Sequence, residues 1–379
     1  MRKALASNAL MLLIVGLIGF GTVLGWGKAQ FGAVGPLDKA VCFTVPSGSN
    51  FNSVSEELLA IGAITTPWIF RIGVRNSGKS NALKAGTFVL RQGSSMAEIT
   101  DELTQSGAAS CGSEIVLRVG VTRSDLQMRE VDPSTERMVT VASHVLGDGE
   151  LPSDYSRLRA DNATEYRVTM AEGATVWLVA EAMNQAEFLS GEVGELPQEG
   201  MLAPDSYAVS AGSDRAELIA AMITKQEERL AAAWAVRATD SPLESPEDLL
   251  ILASIIEKET GVAEERGLVA GVFVNRLRRG IRLQTDPSVI YGITLGKEIL
   301  GRGLRVSELR ADTPYNTYVI NGLPVTAIAN PGKDAIDAAA NPEATDFIFF
   351  VADGTGGHAF ATTLEEHNAN VAKWRAAGN

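Results

Sequence analysis

The sequence contains few cysteines and few histidines, the residues that build disulfide frameworks and bind most transition metals. Only two of its 379 residues are cysteine and three are histidine. Two cysteines are too few for a disulfide framework, and no histidines have the spacing of a metal-binding motif. Basic residues are outnumbered too, because 33 lysines and arginines stand against 46 acidic residues and leave a net charge of −13. This balance argues against nucleic acid as a partner, since a general nucleic-acid binder needs a basic face.

A long apolar run near the N-terminus, from residue 9 to residue 26, contains no charge. As a helix, such a run just reaches across a bilayer core of about 30 Å. A cleaved signal peptide is the alternative, but its apolar region is usually shorter, and no clean cleavage site follows Trp26. We therefore expect a single-pass anchor in the plasma (inner) membrane. Arg2 and Lys3 hold the N-terminus in the cytoplasm, so that the remaining chain faces the periplasm or extracytoplasmic space.

Beyond the anchor, helix and strand patterns mix without regular βαβ repeats, which predicts α+β lobes. The pattern divides the chain into a cytoplasmic N-terminus (1–8), the anchor (9–26), a linker (27–39), a small α+β lobe (40–108), an insertion of unknown role (109–163), a second small lobe with a connecting helix (164–244) and a larger α+β domain (245–379). In the second lobe, a strand–turn–helix pattern around Glu172 and Gly173 repeats the pattern of the first.

The most informative segment runs from residue 245 to residue 292 and begins with strong helix signals, including Ser245 as the N-cap. An apolar stripe at helical spacing follows and runs into Glu257, Lys258 and Glu259. At about 100° per residue, both glutamates fall on the flanks of the stripe, and Lys258 points to solvent. A carboxyl group beside an apolar surface can act as a general acid, although most such glutamates are ordinary boundary residues.

Several blocks in one order, over roughly 110 residues, resemble the signature of the YceG-like family of endolytic murein transglycosylases. The blocks are LASIIEKET at 252–260, VNRL at 274–277, LQTDPSVIYG at 283–292, TPYNTY at 313–318, IANPG at 328–332, and FVAD and GGHAF between 350 and 360. The resemblance implies that Glu257, the first glutamate of the Glu-Lys-Glu run, is the catalytic residue. It also implies that 245–379 is the catalytic domain and that the small lobe before it is LysM-like. Such a lobe either binds glycan chains or serves as a spacer.

The reaction is also implied by the resemblance. A lytic transglycosylase cleaves the β-1,4 bond between N-acetylmuramic acid and N-acetylglucosamine in peptidoglycan glycan strands, and it needs one carboxyl group where ordinary glycosidases need two. The glutamate protonates the bridging oxygen and then takes the proton of the muramic acid 6-hydroxyl, which closes a 1,6-anhydro ring without water. No cofactor and no metal are implied. Because the family works close to glycan polymerases, the expected role is to terminate nascent strands beside glycan-polymerising synthases.

The family blocks also carry polar and aromatic side chains that suit a sugar, which presents apolar CH faces and hydroxyl groups. We expect the sugar groove to include Gln284, Asp286, Tyr315, Asn316, Thr317, Tyr318 and His358. An alternative role for Asp286 is to cap the turn that begins at Pro287. A further family-like block, EGMLAPDSY at 199–207, departs from the family pattern at Ala203 and Ser206, and we interpret it as structural.

The two cysteines, Cys42 and Cys111, flank the small lobe. An extracytoplasmic location permits a disulfide between them. Two isolated cysteines can equally stay reduced and buried, and the sequence does not choose between these states.

Two other functions compete with the enzyme. A non-catalytic peptidoglycan-binding scaffold at the membrane would use the small lobe, but it has no need for the blocks around Glu257. A metal-dependent hydrolase would use His358 and His367, but these histidines lack the spacing of a ligand motif.

Overall fold

The computed structural model describes residues 2–105 and 110–376 of the chain. These residues form a mixed α+β fold, which confirms the predicted class. The chain divides into two compact units. One comprises Met1–Glu114, Met128–Ala142 and Ser153–Glu165, and the other Ile115–Gln127, Ser143–Pro152 and Tyr166–Asn379. The predicted domain boundary between residues 108 and 109 lies outside the described residues.

The first element is a helix, α1 (Arg2–Gly32). Its segment Leu13–Gly32 is long and apolar enough to cross a membrane, by length and composition. Because α1 continues past Trp26, the beginning of the predicted linker at 27–39 is helical instead. The ring of Phe31 covers Gly73, where a Cβ atom would overlap the ring, so the end of α1 packs closely on the small lobe. One N-terminal apolar helix is compatible with a single-pass anchor.

The small lobe surrounds a two-stranded antiparallel sheet. Its elements are β1 (Val41–Val45), α2 (Phe51–Ala60), α3 (Pro67–Asn76), β2 (Gly86–Leu90) and α4 (Met96–Thr104). In the sheet, Phe43 pairs with Phe88. Side-chain caps begin two of the helices, Asn50 before α2 and Ser95 before α4. The lobe buries Val54, Leu58, Phe70, Ile99 and Leu103.

Cys42 and Cys111 pair in a disulfide in this structure, with Cα atoms 5.8 Å apart. This separation is typical of disulfides. The bridge ties β1 to the segment that follows α4, and it spans 69 residues of sequence.

A five-stranded sheet follows. Its strands are β3 (Ser113–Val119), β4 (Ser124–Asp132), β5 (Arg137–Val145), β6 (Glu165–Met170) and β7 (Ser206–Val209), in the spatial order β5-β4-β3-β6-β7. The helix α5 (Ser153–Arg159) precedes β6, and α6 (Val176–Gln185) follows it. The strands β6 and β7 are antiparallel, with Val168 opposite Tyr207. The turn between β6 and α6 contains Glu172 and Gly173, which becomes important at the candidate site.

The strand β4 lies in the predicted insertion at 109–163, in a charged segment for which no strand was predicted. Its charges are paired across the sheet: Arg129 lies 3.1 Å from Glu114, and Arg118 lies 3.9 Å from Asp125. Apolar alternation is weak there because opposite-charge pairs line part of the strand. Sequence periodicity alone therefore missed it.

The rest of the chain is largely helical. Its elements are α7 (Arg215–Ala235), α8 (Pro246–Glu259), a 3-10 turn (Ala263–Glu265), α9 (Arg266–Arg278), α10 (Asp286–Thr294), α11 (Lys333–Ala340), β8 (Phe349–Ala352), β9 (His358–Ala361) and α12 (Leu364–Ala376). The helix α8 lies at the centre of a core that α9 and α11 share. The strands β8 and β9 form an antiparallel hairpin, with Phe350 opposite Phe360. These elements place the end of α8 beside the beginning of α11.

Candidate active site

Glu257 lies in the last turn of α8, and the rest of that helix is fixed at both its start and its sides. At the start, Ser245 Oγ accepts a hydrogen bond from Asp248 N–H, and Asp248 Oδ2 accepts one from Ser245 N–H, both at 3.1 Å. Along the sides, the stripe residues Leu249, Leu252 and Ile256 are fully buried. Because capping and core packing together hold α8, the backbone position of Glu257 is well defined.

The carboxyl group of Glu257 is half-buried, and Oε2 accepts a hydrogen bond from Gly332 N–H at 3.0 Å. Burial raises the pKa of Glu257, and the nearby charge of Glu172 raises it further. The hydrogen bond from Gly332 and the charges of Arg266 and Lys258 lower it, but the net shift of this pKa is upward. A carboxyl group in such surroundings can hold a proton nearer neutral pH and donate it.

The loop that carries Gly332 is anchored by Asn330, whose side chain is fully buried. Asn330 Nδ2 donates to Ala174 O at 2.9 Å, and Oδ1 accepts from Leu202 N–H at 2.8 Å. The backbone of Asn330 also accepts a hydrogen bond from Gly173 N–H at 2.9 Å. The IANPG block therefore brings the Gly332 donor to Glu257 through a set of buried hydrogen bonds.

Helical spacing predicted that Lys258 points to solvent, but the structure does not bear this out. Its side chain is half-buried, and Nζ donates to Gly173 O at 3.4 Å. Burial lowers the pKa of Lys258, while the charges of Glu257 and Glu199 oppose that shift. The prediction was wrong because the β6–α6 turn, 85 residues away in sequence, covers this face of α8.

Glu199 is a buried carboxyl group that the sequence analysis placed in a structural block. Oε1 accepts hydrogen bonds from Val176 N–H at 2.9 Å and from Asn330 Nδ2 at 3.3 Å, and Oε2 accepts one from Tyr291 Oη at 3.3 Å. Burial raises the pKa of Glu199 to about 7. Its charge also acts on Lys258. Glu199 thus belongs to the electrostatic surroundings of the candidate site.

Glu259 has a different environment from Glu257. Its carboxyl group accepts a hydrogen bond from Thr285 Oγ1, in the segment before α10. Burial raises the pKa of Glu259, and the hydrogen bond from Thr285 opposes that shift. The two glutamates of the Glu-Lys-Glu run are therefore held by two different loops.

The predicted groove residues Gln284 and Asp286 are both exposed. Gln284 adopts a left-handed backbone conformation, with φ of 51°, and its N–H donates to Thr317 O at 3.1 Å. Asp286 lies in the first turn of α10, whose N-cap is Thr285, and Asp286 Oδ1 accepts a hydrogen bond from Tyr318 Oη at 2.7 Å. The structure thus joins two of the predicted groove residues, Asp286 and Tyr318.

The aromatic ring of Tyr315 packs edge-to-face on Tyr291, with centroids 5.1 Å apart. Its hydroxyl group lies 3.0 Å from Thr326 Oγ1. Because Tyr291 also donates to Glu199, Tyr315 contacts the surroundings of Glu199.

The expectation that Asn316 and Thr317 contact a sugar needs correction, because both side chains are fully buried. Asn316 Nδ2 donates to Ala311 O at 2.7 Å and to Glu308 O at 3.1 Å. Thr317 Oγ1 accepts from Thr285 N–H at 3.0 Å. These two side chains satisfy buried backbone groups, so they shape the loop.

His358 begins β9, and its Nδ1 lies 2.7 Å from Glu265 Oε2. The backbone N–H of His358 donates to Glu265 Oε1 at 2.9 Å, so one carboxylate holds both groups. In its charged form, His358 would lower the pKa of Glu259. Across residues 2–105 and 110–376, no cluster of three or more histidine, cysteine or acidic side chains could hold a metal ion.

A cavity of about 420 Å³ lies beside Lys258. Thr175, Tyr291 and Ile328 contribute to its walls. Since Tyr291 donates to Glu199, the cavity borders the same buried network.

Two charged residues near Glu257 were not predicted from the sequence to belong to the site. Glu172 lies in the β6–α6 turn, and Arg266 begins α9 with its side chain only 12% exposed. Both act on the pKa of Glu257, in opposite directions. The only sequence signal for Glu172 was its place before Gly173 in the repeated strand–turn–helix pattern.

Comparison with known sequences gives a consistent family. The sequence model of the YceG-like family matches residues 43–136 and 150–373. The matched ranges leave out residues 137–149, which lie within the predicted insertion at 109–163.

Similar proteins include the endolytic murein transglycosylase of Bacillus subtilis (strain 168), 27% identical over 339 residues, which are 89% of this chain and 86% of that protein. The endolytic murein transglycosylase of Streptococcus pneumoniae serotype 2 (strain D39) is 28% identical over 345 residues, which are 88% of this chain and 58% of that protein. A crystal structure of a YceG-like protein from Listeria monocytogenes aligns with a TM-score of 0.42 and 24% identity, covering 88% of this chain and 99% of that one. Because the family model matches well over half of its residues, this chain belongs to the YceG-like family.

Proposed function

We propose that this protein is an endolytic peptidoglycan lytic transglycosylase with Glu257 as its catalytic residue. The observation that carries the proposal is the environment of Glu257, a half-buried carboxyl group of raised pKa with a backbone N–H held against Oε2. This glutamate stands in the family's Glu-Lys-Glu block. The names of the Bacillus and Streptococcus relatives support the same activity.

In the proposed reaction, the protonated Glu257 donates its proton to the oxygen that bridges N-acetylmuramic acid and N-acetylglucosamine. The bond from the muramic acid C1 to that oxygen breaks, and the N-acetylglucosamine side leaves as an alcohol. The Glu257 carboxylate then removes the proton from the 6-hydroxyl group of the same muramic acid. The freed oxygen bonds to C1 and closes the 1,6-anhydro ring, so the proton returns to Glu257 and no water is consumed.

The surroundings of Glu257 suit both steps. Burial and the charge of Glu172 favour the protonated acid before the bond breaks. The N–H of Gly332, at the N-terminus of α11, then stabilises the carboxylate that forms. One carboxyl group can therefore act as the acid and then as the base.

We assign the sugar groove to side chains near α10, with the exposed Gln284 and Asp286 and the half-buried Tyr318 as the main candidates. Tyr315 and His358 are further candidates, and both are half-buried. Asn316 and Thr317 support this groove from beneath.

The remaining parts suggest how the enzyme reaches its substrate. The segment Leu13–Gly32 would anchor it in the inner membrane with a single span. The catalytic domain would then face the periplasm or extracytoplasmic space, where glycan strands are made and synthases are candidate partners. The small lobe around β1 and β2 would be LysM-like and would hold glycan chains near the membrane.

The test is a digest of purified peptidoglycan by the full-length protein in detergent, with Glu257→Gln beside it. Mass spectrometry should find internal fragments that end in 1,6-anhydro-N-acetylmuramic acid only with the wild-type protein. Glu181→Gln is a matched control, since Glu181 is an exposed glutamate on α6. Equal cleavage by wild type and Glu257→Gln would reject the proposed catalytic residue, and binding without any cleavage would favour a scaffold.

A further inference from the structure

Two carboxyl groups contact Gly332 from different sides. Glu257 Oε2 accepts the hydrogen bond of its N–H at 3.0 Å. On the Cα side, the Glu172 carboxyl group fills the space that a side chain at position 332 would need, so a Cβ atom would overlap it. The path from Glu257 Oε2 through the N and Cα atoms of Gly332, and on through the position of a Cβ atom to the nearest Glu172 oxygen, adds up to about 8 Å. The two carboxyl oxygens can therefore be no farther apart than this.

Glycine at position 332 is required by this crowding and not by the backbone conformation. Gly332 has φ of −71° and ψ of 168°, which any amino acid can adopt. The Glu172 carboxyl group, from the β6–α6 turn, occupies the space where a side chain at position 332 would lie. Gly332 also caps α11, and the positive end of the helix dipole favours negative groups there. The site is thus built to hold two acids close together.

We propose that Glu172 is a positioning residue for this reaction: its negative charge keeps the proton on Glu257 until the glycosidic oxygen takes it. This inference rests on the proposed function, in which Glu257 is the acid. Two cations face Glu257 as well, Arg266 and Lys258, and both favour loss of its proton. Glu172 offsets them, and after the proton has left it makes Glu257 a stronger base for the 6-hydroxyl group.

The role predicts a particular change in pH dependence. Activity requires protonated Glu257, so kcat/KM falls as the pH rises through the pKa of Glu257. Replacing Glu172 by glutamine removes the negative charge that holds the proton on Glu257, so the pKa of Glu257 falls. The alkaline limb of the profile should therefore move to lower pH, by roughly 0.5–1 pH unit for a like charge partly screened by solvent. On that limb the rate should drop about 3- to 10-fold, while the acidic plateau changes little.

A second pair of variants tests the contact itself. Gly332→Ala should push the Glu172 carboxyl group away and shift the alkaline limb in the same direction. In Glu172→Ala the obstructing group is gone, so adding Gly332→Ala should cause no further shift. The pH profile of the double variant should therefore match that of Glu172→Ala. If alanine at position 332 acted only by disturbing the α11 cap, the double variant would shift further than Glu172→Ala alone.

The experiment measures kcat/KM on soluble uncrosslinked glycan strands, with full-length protein in detergent. The pH range is about 4.5 to 9, which extends from the usual pKa of a glutamate to well above it. Glu181→Gln is the control and should keep the wild-type profile. Coincident profiles for wild type and Glu172→Gln, with wild type active and Glu257→Gln inactive, would overturn the inference alone. Loss of activity at every pH in a folded Glu172→Gln would overturn it too, because Glu172 would then touch the reacting atoms. An inactive wild type would instead reject the proposed function.

Discussion

Gly332 N–H donates a hydrogen bond of 3.0 Å to Glu257 Oε2, although 75 residues separate the two in sequence. The contact joins the end of α8 to the beginning of α11, and it gives the carboxylate of Glu257 a fixed donor. A donor at a helix N-terminus stabilises negative charge without moving. The proposed catalysis depends on this hydrogen bond and on the burial of the Glu257 carboxyl group.

Replacing Glu257 by glutamine should leave the fold intact and remove the proton donor. Glutamine keeps an oxygen that can accept the Gly332 N–H and brings no charge into the half-buried site, so thermal unfolding should occur at or slightly above the wild-type temperature. General acid–base catalysis usually contributes about 10²–10⁴-fold, and a loss of that size in the rate of glycan cleavage is expected. Residual activity within about threefold of wild type would contradict the assignment.

Glu199 should make stability depend on pH. Its pKa is raised by burial from 4.5 to about 7. Because the pKa of Glu199 is higher in the folded than in the unfolded protein, its protonation favours the folded state, and this contribution is complete below pH 4.5. The contribution, about 3 kcal/mol in unfolding free energy, is lost as the pH rises through about 7. Glu199→Gln should keep the contacts with Val176 and Tyr291 but lose the titration. The unfolding free energy of this variant should exceed that of wild type by an amount that grows from pH 5 to pH 8. A difference that stays constant with pH would contradict a raised pKa of Glu199.

Asn330 should support both stability and activity. Asn330→Ala removes a fully buried side chain that bonds to Ala174 and Leu202, and the cost should be about 2–3 kcal/mol in urea unfolding. Because this side chain anchors the loop of Gly332, the remaining folded enzyme should also be slower.

Asn316→Ala is the matched control for Asn330→Ala, since Asn316 is equally buried in another loop. It should cost similar stability and raise KM, because Asn316 supports the proposed sugar groove, but it should leave kcat of the folded enzyme closer to wild type. If both variants changed kcat by the same factor, the loop of Asn330 would have no special role in positioning the donor.

The bridge between Cys42 and Cys111 should stabilise the small lobe. Its loop of 69 residues gives an expected contribution of about 2–4 kcal/mol, mainly through the unfolded state. The Cys42→Ser/Cys111→Ser variant, and wild type under reducing conditions, should both unfold at lower urea concentration than oxidised wild type. Thiol labelling should detect no free cysteine before reduction. Two reactive thiols in the folded, oxidised protein would contradict the bridge.

Local signals in the sequence were enough for the helix that carries the site. Ser245, the apolar stripe and the position of Glu257 follow from capping chemistry and helical spacing, and the structure has all three. The family resemblance then singled out Glu257 from Glu259, which helical spacing alone could not do.

What the sequence could not supply depends on contacts between distant segments. The solvent side of α8 is covered by the turn at Gly173, so Lys258 is half-buried. Asn316 and Thr317 look like sugar ligands by residue type, but their hydrogen bonds go to loop backbone. Glu172 and Glu257 both contact Gly332, and no periodicity links those three positions.

The central claim is that Glu257 transfers the proton within the glycan, so that the strand is cut without water. Digestion of purified peptidoglycan by the wild-type enzyme in water enriched in heavy oxygen tests this directly. We predict fragments that end in 1,6-anhydro-N-acetylmuramic acid and carry none of the label, and their absence with Glu257→Gln. Reducing ends that carry the heavy oxygen would contradict the account, because they would show hydrolysis and require a second carboxyl group to activate the water.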